Sequence, residues 1–143
     1  MGGQKMKEMI YYAKRKMEIL FSGEYKGHKF CIMNLGTHPT AYVQNKIKDL
    51  NSYGDDRLGN IDVHGGFTYL DRSYWDKTDR AIYLGWDYAH YCDYAGYYTK
   101  FNFCNDYECK RWTTTEIYEE VKSVIEQLIV LEERWGADES LTP

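Results

Sequence analysis

Residues 20–44, LFSGEYKGHKFCIMNLGTHPTAYVQ, decide the fold. Leu20-Phe21 leads into Glu24-Tyr25-Lys26-Gly27, which reads as a hairpin turn. Lys29 to Leu35 is a run of strand length, rich in residues that suit a pleated, half-buried surface. Gly36-Thr37-His38-Pro39 then reverses the chain again, because proline fixes its own φ and pushes His38 out of the helical region. Ala41-Tyr42-Val43 supplies a third strand, so residues 20–44 predict an antiparallel meander.

Further along, Arg80-Ala81-Ile82-Tyr83-Leu84-Gly85-Trp86 is the strongest candidate for a central strand. Ile61-Asp62-Val63-His64 and Phe67-Thr68-Tyr69-Leu70 read as two short strands on either side of Gly65-Gly66. Residues 45–59 turn polar around Asn51, Asp55, Asp56 and Arg57, which predicts a mobile surface loop or a lid. Residues 71–79 form a charged connector that carries Tyr74 and Trp75. From Asp87 to Lys110 both the strand period and the helix period disappear, leaving a long Tyr-rich irregular segment. Loops of that length are usually functional or disordered, and the density of rings argues against disorder.

Two helices flank this sheet. Thr113-Thr114-Thr115-Glu116 offers a capping box, and Ile117, Val121, Val124, Leu128, Leu131 and Trp135 then fall on one face. Glu119, Glu120, Lys122, Glu126 and Glu132 line the other, and Gly136 stops the helix. Its apolar face is assigned to packing on the sheet. Met6, Met9, Ile10, Ala13, Met17 and Leu20 recur at three- and four-residue steps, predicting a helix over about residues 4–16. Residues 17–21 read either as its continuation or as a first strand. The expected fold is α+β: a single domain over residues 1–143 with a mixed or mainly antiparallel sheet, an N-terminal helix and a long C-terminal helix. Residues 1–3 and 137–143 are expected to be disordered tails.

Charge and composition then remove several function classes. A formal charge of −4 lacks the basic surface that displaces counterions, so general nucleic-acid binding is not expected. No run of eighteen apolar residues occurs, so no membrane partner is expected. The four cysteines, Cys31, Cys92, Cys104 and Cys109, follow no apolar export segment, which points to free thiols in a reducing cytoplasm. Cys104 and Cys109 have no second close pair to complete a zinc site, and neither metal nor cofactor is expected. Aromatic residues make up 17% of the chain, fifteen of them Tyr. Such rings suit wet clefts and interfaces, and equally β-rich folds.

Two blocks hold most of the chemistry. In Asp62-Val63-His64-Gly65-Gly66 a strand places Asp62 and His64 on one face, where the carboxylate fixes the imidazole tautomer and raises its basicity. Gly65 and Gly66 let backbone N–H groups approach an anion. The plainer reading makes the glycines a hairpin turn and His64 a half-buried strand residue. In Gly85-Trp86-Asp87-Tyr88-Ala89-His90-Tyr91-Cys92-Asp93, Asp87, His90 and Asp93 recur every three residues among rings. With Asp62 and His64 they are of the types that hold a transition metal, but no helical ligand motif frames them. A polar cradle that stacks a flat ligand is favoured. The ligand-binding set is therefore His64, Gly65, Gly66, Tyr69, Trp86, Asp87, Tyr88, His90 and Asp93. An enzyme would draw on His64, Asp62, His90 and Asp87. His28 and His38 sit at turns and are expected to be solvated.

The chain resembles a group of small proteins encoded by phages and mobile elements of Gram-positive bacteria. The likeness rests on Gly23-Glu24-Tyr25-Lys26-Gly27, Leu35 to Val43, Asp62 to Gly66, Gly85 to His90 and Arg111-Trp112-Thr113-Thr114. It implies a source, an infected or lysogenic bacterium, and no particular mechanism. Small accessory proteins of this kind often counter host defence. The expectation is sequestration of a nucleotide-derived signal, a cyclic nucleotide or an ADP-ribose type. A hydrolase or phosphoesterase built on the same His/Asp set, with or without a divalent metal, is the second reading. An inhibitor that docks on a host defence protein is the third. A homo-oligomer is expected if protomers share the pocket.

Overall fold

A computed structural model describes residues 6–8, 16–89, 110 and 112–137. The meander forms as expected: β1 (Glu18–Tyr25), β2 (His28–Asn34) and β3 (Pro39–Gln44) pair antiparallel in sequence order. Lys26 and Gly27, at φ 48° and 81°, make the two-residue turn whose twist matches that of the strands it joins. β4 (Tyr69–Arg72) and β5 (Ile82–Asp87) complete a five-stranded antiparallel sheet of order β1-β2-β3-β5-β4. β5, the expected central strand, lies inside the sheet between β3 and β4. The α+β class thus holds, and the sheet is antiparallel throughout.

α1 (Thr114–Trp135) packs on one face of this sheet. Its start is the expected box: the Thr113 hydroxyl accepts from the Glu116 N–H at 3.1 Å, and the Thr113 N–H donates to the Glu116 carboxylate at 2.9 Å. Gly136 ends it. Ile117, Val121, Val124, Ile125 and Leu128 are buried against Leu20, Phe30, Ile32, Val43, Leu84 and Trp86. Removing this apolar area from water is the main term holding the two layers together. Trp135 departs from the expected stripe: it is half exposed, with the Arg57 guanidinium over its ring at 5.7 Å.

The helix expected over residues 4–16 falls mostly outside the described residues. Met6 to Glu8, which are described, are not helical, and the Lys7 N–H donates to the Leu20 carbonyl at 2.8 Å. Residues 45–59 form an irregular surface segment as expected, with 51–54 exposed, but one anchored in the core. Ile47, Leu50 and Leu58 are core residues, and a short 3₁₀ turn spans Asp56–Leu58. Ile47 also pairs with Ala137, a residue expected in the disordered tail.

The sheet face away from α1 carries an aromatic layer. Tyr42 meets Tyr69, Tyr74 and Trp75 at centroid distances of 5.0, 5.5 and 4.7 Å. Gly85 lies beneath these rings. A Cβ there falls 2.5 Å from Tyr42 Cδ1 and 3.0 Å from Tyr69 Cβ. Both neighbours are held on paired strands, so neither can move away freely. Gly85→Ala is expected to cost about 1–3 kcal/mol by overpacking. Urea unfolding checks this; a midpoint equal to the parent's would mean that the rings are free to shift.

Candidate functional site

The segment around His64 is not a strand. Ile61 to Thr68 lie outside every strand, and β4 begins only at Tyr69. A buried or half-buried backbone must still place its polar groups, and here side chains of α1 take them. The Asp62 N–H donates to Gln127 Oε1 at 2.7 Å, and the Gln127 amide returns a bond to the Asp62 carbonyl at 3.1 Å. Two residues on, the His64 N–H donates to Glu120 Oε2 at 2.7 Å. The chain then reverses, with the Gly66 N–H bonded to the Val63 carbonyl at 3.1 Å. Gly65, at φ 69°, supplies the left-handed conformation this turn requires at its third position.

The expected same-face pairing of Asp62 with His64 is therefore corrected. Side chains alternate on a strand, but a turn aims each one separately. Among the described residues no hydrogen bond joins the Asp62 carboxylate to the imidazole. The His64 ring instead stacks on Tyr88, centroids 4.7 Å apart and planes within 11°, and meets the Trp112 ring edge-on at 4.9 Å. The Trp86 indole N–H donates to the Tyr88 hydroxyl at 2.9 Å, and that hydroxyl donates to Glu120 Oε1. One carboxylate, Glu120, thus gathers the 61–66 turn, the end of β5 and α1.

The two sequence blocks do meet in space, through His64 and Tyr88. At that point they meet as stacked rings. Trp86 and Tyr88 are 1% and 0% exposed, so their faces are already covered by protein. Tyr69, Gly85 and Asp87 point to the opposite sheet face, because alternation along β5 separates Asp87 from Trp86 and Tyr88. Among the described residues, neither of two surface concavities is lined by His64, Trp86, Tyr88, Asp87 and Tyr69 together. His90 and Asp93 lie outside the described residues, as does most of the Tyr-rich segment. Among the described residues no three His, Cys, Asp or Glu side chains gather as a metal site would need.

Beside the turn runs a groove of about 350 Å³. Leu58, Ile61, Val63 and Phe67 form its apolar walls, and Gly54, Gly59 and Gly66 form part of its rim. Tyr53 stands at the mouth with half its surface in water. Asp55, also on the rim, accepts from Arg57 Nε at 3.0 Å and Nη2 at 2.9 Å, and these bonds lower its carboxyl to about 2. Of the expected ligand residues, Gly66 is the one that lines this groove. Tyr53, Asp55 and Phe67 are not among the expected ligand residues; the polar stretch 45–59, read as a loop or lid, is the sequence signal that pointed toward this side of the groove.

The other histidines correct their expectation too. His28 is buried, with Nε2 2.6 Å from Glu132 Oε2 and Nδ1 3.2 Å from the Lys26 carbonyl. His38 is half-buried, its Nδ1 2.8 Å from the Thr37 hydroxyl. Cys31 is a buried free thiol whose pKa burial pushes up; the other cysteines lie outside the described residues. No helix among the described residues is long and apolar enough to cross a membrane. Compared with protein-family models, curated proteins and solved structures, the chain finds no match.

Proposed function

We propose that this protein binds a nucleotide-derived small molecule without transforming it, in the groove between the 53–59 turn and the 61–67 segment. In the phage or mobile-element setting that its sequence resemblance implies, such binding withdraws a cyclic nucleotide or ADP-ribose-type signal from host defence. The observation that carries the reading is the clamping of the 61–66 turn by Gln127 and Glu120. A groove wall fixed by the scaffold is formed before the ligand arrives, so binding does not have to order it. The volume is that of a small-molecule site, and apolar walls with few polar groups suit a flat base. Tyr53 would cover the base, a contact worth roughly 1–3 kcal/mol. The ionised Asp55 would accept from an exocyclic amine. Hydrolysis has less support, because the imidazole of His64 packs on Tyr88 and Trp112 and no strand holds the carboxylate of Asp62 beside it.

A thermal-shift series with cyclic nucleotides, ADP-ribose and mononucleotides tests this. One class is expected to raise Tm by mass action, by an amount that grows with ligand concentration. Tyr53→Ala should abolish the rise while leaving the unliganded Tm within a degree or so, since the ring is exposed. Heating the complex and chromatographing the supernatant should return the ligand intact. Flat curves for every compound would end the proposal in favour of an inhibitor that docks on a defence protein. Recovery of a cleaved product would end it in favour of the hydrolase.

A further inference from the structure

Most hydrogen-bond donors around the groove are already taken by the protein itself. Gly54, Gly59 and Gly66 give their N–H groups to Ser52 Oγ, the Asp56 carbonyl and the Val63 carbonyl at 3.0, 3.0 and 3.1 Å. The N–H groups of Leu58 and Ile61 go to the carbonyls of Asp55 and Leu58. Among the described residues that line the groove there is no Lys, Arg or His. Arg57, which bonds Asp55 on the rim, has every guanidinium nitrogen committed. Nε and Nη2 donate to Asp55, Nη2 also to the Asp49 carbonyl at 3.1 Å, and Nη1 to the Lys48 carbonyl at 3.0 Å. A phosphate is held by cations or by several converging N–H groups. Here it would meet the Asp55 carboxylate instead.

That carboxylate is the charge the groove does offer, and Arg57 limits how it is offered. Oδ1 accepts from the Arg57 N–H at 2.9 Å and from Nε, while Oδ2 accepts from Nη2 alone. A carboxylate has about two acceptor places on each oxygen, so one is left, on Oδ2. The side chain is 24% exposed and lines the groove, within reach of a ligand there. Guanine presents two adjacent N–H donors, which suit two oxygens side by side. Adenine presents a single amine, and its fused rings cover more of Tyr53 and the apolar wall than cytosine's one ring.

Given a nucleotide-derived ligand in this groove, as proposed above, we infer that the groove reads an adenine base and leaves the phosphates in water. The exocyclic amine donates to Asp55 Oδ2, the rings lie between Tyr53 and the wall of Ile61, Val63 and Phe67, and the ribose points to solvent. The test is an NMR titration of the intact protein that follows the amides of Gly54, Gly59 and Gly66. Adenosine, AMP and ADP-ribose should bind within about fivefold of one another, since a charge left in water adds little. Inosine, with a carbonyl in place of the amine, should bind at least about tenfold more weakly, the weight of one hydrogen bond to a charged group. Ribose 5-phosphate should give no saturable shift. Asp55→Asn keeps a good cap for the 56–58 turn and can donate to the inosine carbonyl, so it should narrow the preference for adenosine. Binding of ADP-ribose without adenosine, binding of ribose 5-phosphate, parity of inosine with adenosine, or an undiminished preference in Asp55→Asn would each overturn the inference. Silence from all five compounds would overturn it too, whereas the groove's role as a ligand site falls only if the thermal-shift series is flat as well.

Discussion

Replacing His28 with alanine is expected to cost about 3–5 kcal/mol, the largest loss for any single side chain outside the apolar core. The imidazole lies where the tip of the β1–β2 hairpin meets the far end of α1. Its Nδ1 faces the Lys26 carbonyl, which can only accept, so that nitrogen carries hydrogen. Its Nε2 lies 2.6 Å from Glu132 Oε2, with the two side chains 4% and 11% exposed. Alanine would leave the Glu132 carboxyl buried without its partner and open a cavity beside it; both effects destabilise. Glu132→Gln keeps a donor facing a neutral ring and should lose only about 1 kcal/mol. Urea unfolding at neutral pH separates the cases. With a slope of roughly 1–3 kcal/mol/M, the alanine variant's midpoint should fall by more than 1 M. A fall no larger than that of Glu132→Gln would show that the pair contributes little beyond one ordinary hydrogen bond.

The same residue shows where sequence reading succeeds and where it stops. The meander was legible because its signals are local: Lys26-Gly27 and His38-Pro39 dictate reversals whatever the rest of the chain does. The capping box of α1 was legible for the same reason. His28 read as solvated because it follows a turn, and Glu132 because it falls on the polar side of the helix. Their burial depends on a contact between positions 104 residues apart, which no local pattern encodes. Glu120 and Gln127 were hidden likewise. Each sits directly before a buried position of α1, Val121 or Leu128, on the flank of the apolar stripe. That position is the one available hint that a charged or amide side chain is covered. What covers it, the 61–66 turn, lies 56 and 65 residues upstream.

The error over Asp62-Val63-His64 has a related cause. Alternation of apolar and polar residues over four positions satisfies a strand pattern, but a strand also needs a neighbour to take its backbone bonds. β5 offers its free edge to residues 69–72 and, through the Gly85 carbonyl, to the Thr68 N–H. The residues before them are past that edge and turn to α1 instead. The site expectation was shaped by the same assumption, since a strand would have placed the carboxylate and the imidazole side by side.

Glu120→Ala carries the second large effect, and it reaches the groove. The carboxylate accepts from the Tyr88 hydroxyl through one oxygen and from the His64 N–H through the other. Tyr88 has no exposed surface, so water cannot replace the charged acceptor its hydroxyl loses, a penalty of about 1–3 kcal/mol. The His64 N–H loses a charge-assisted bond worth about 1.5–3 kcal/mol, though water can recover part of it because this residue is half-buried. A total loss of about 2–4 kcal/mol is expected by urea unfolding. Hydrogen exchange distinguishes a local role from a global one. Each 1.4 kcal/mol lost locally speeds exchange about tenfold, so the amides of Asp62, His64 and Gly66 should exchange tens of times faster relative to β2 and β3. Glu120→Gln, whose amide oxygen can serve only one of the two donors well, should fall between parent and alanine. If the groove holds the ligand, both variants must also lose affinity, in the order of their exchange rates, because a wall that opens has to be re-ordered on binding. Unchanged exchange at His64 in Glu120→Ala would mean that the turn stands without its clamp, and the preformed groove would lose its physical basis.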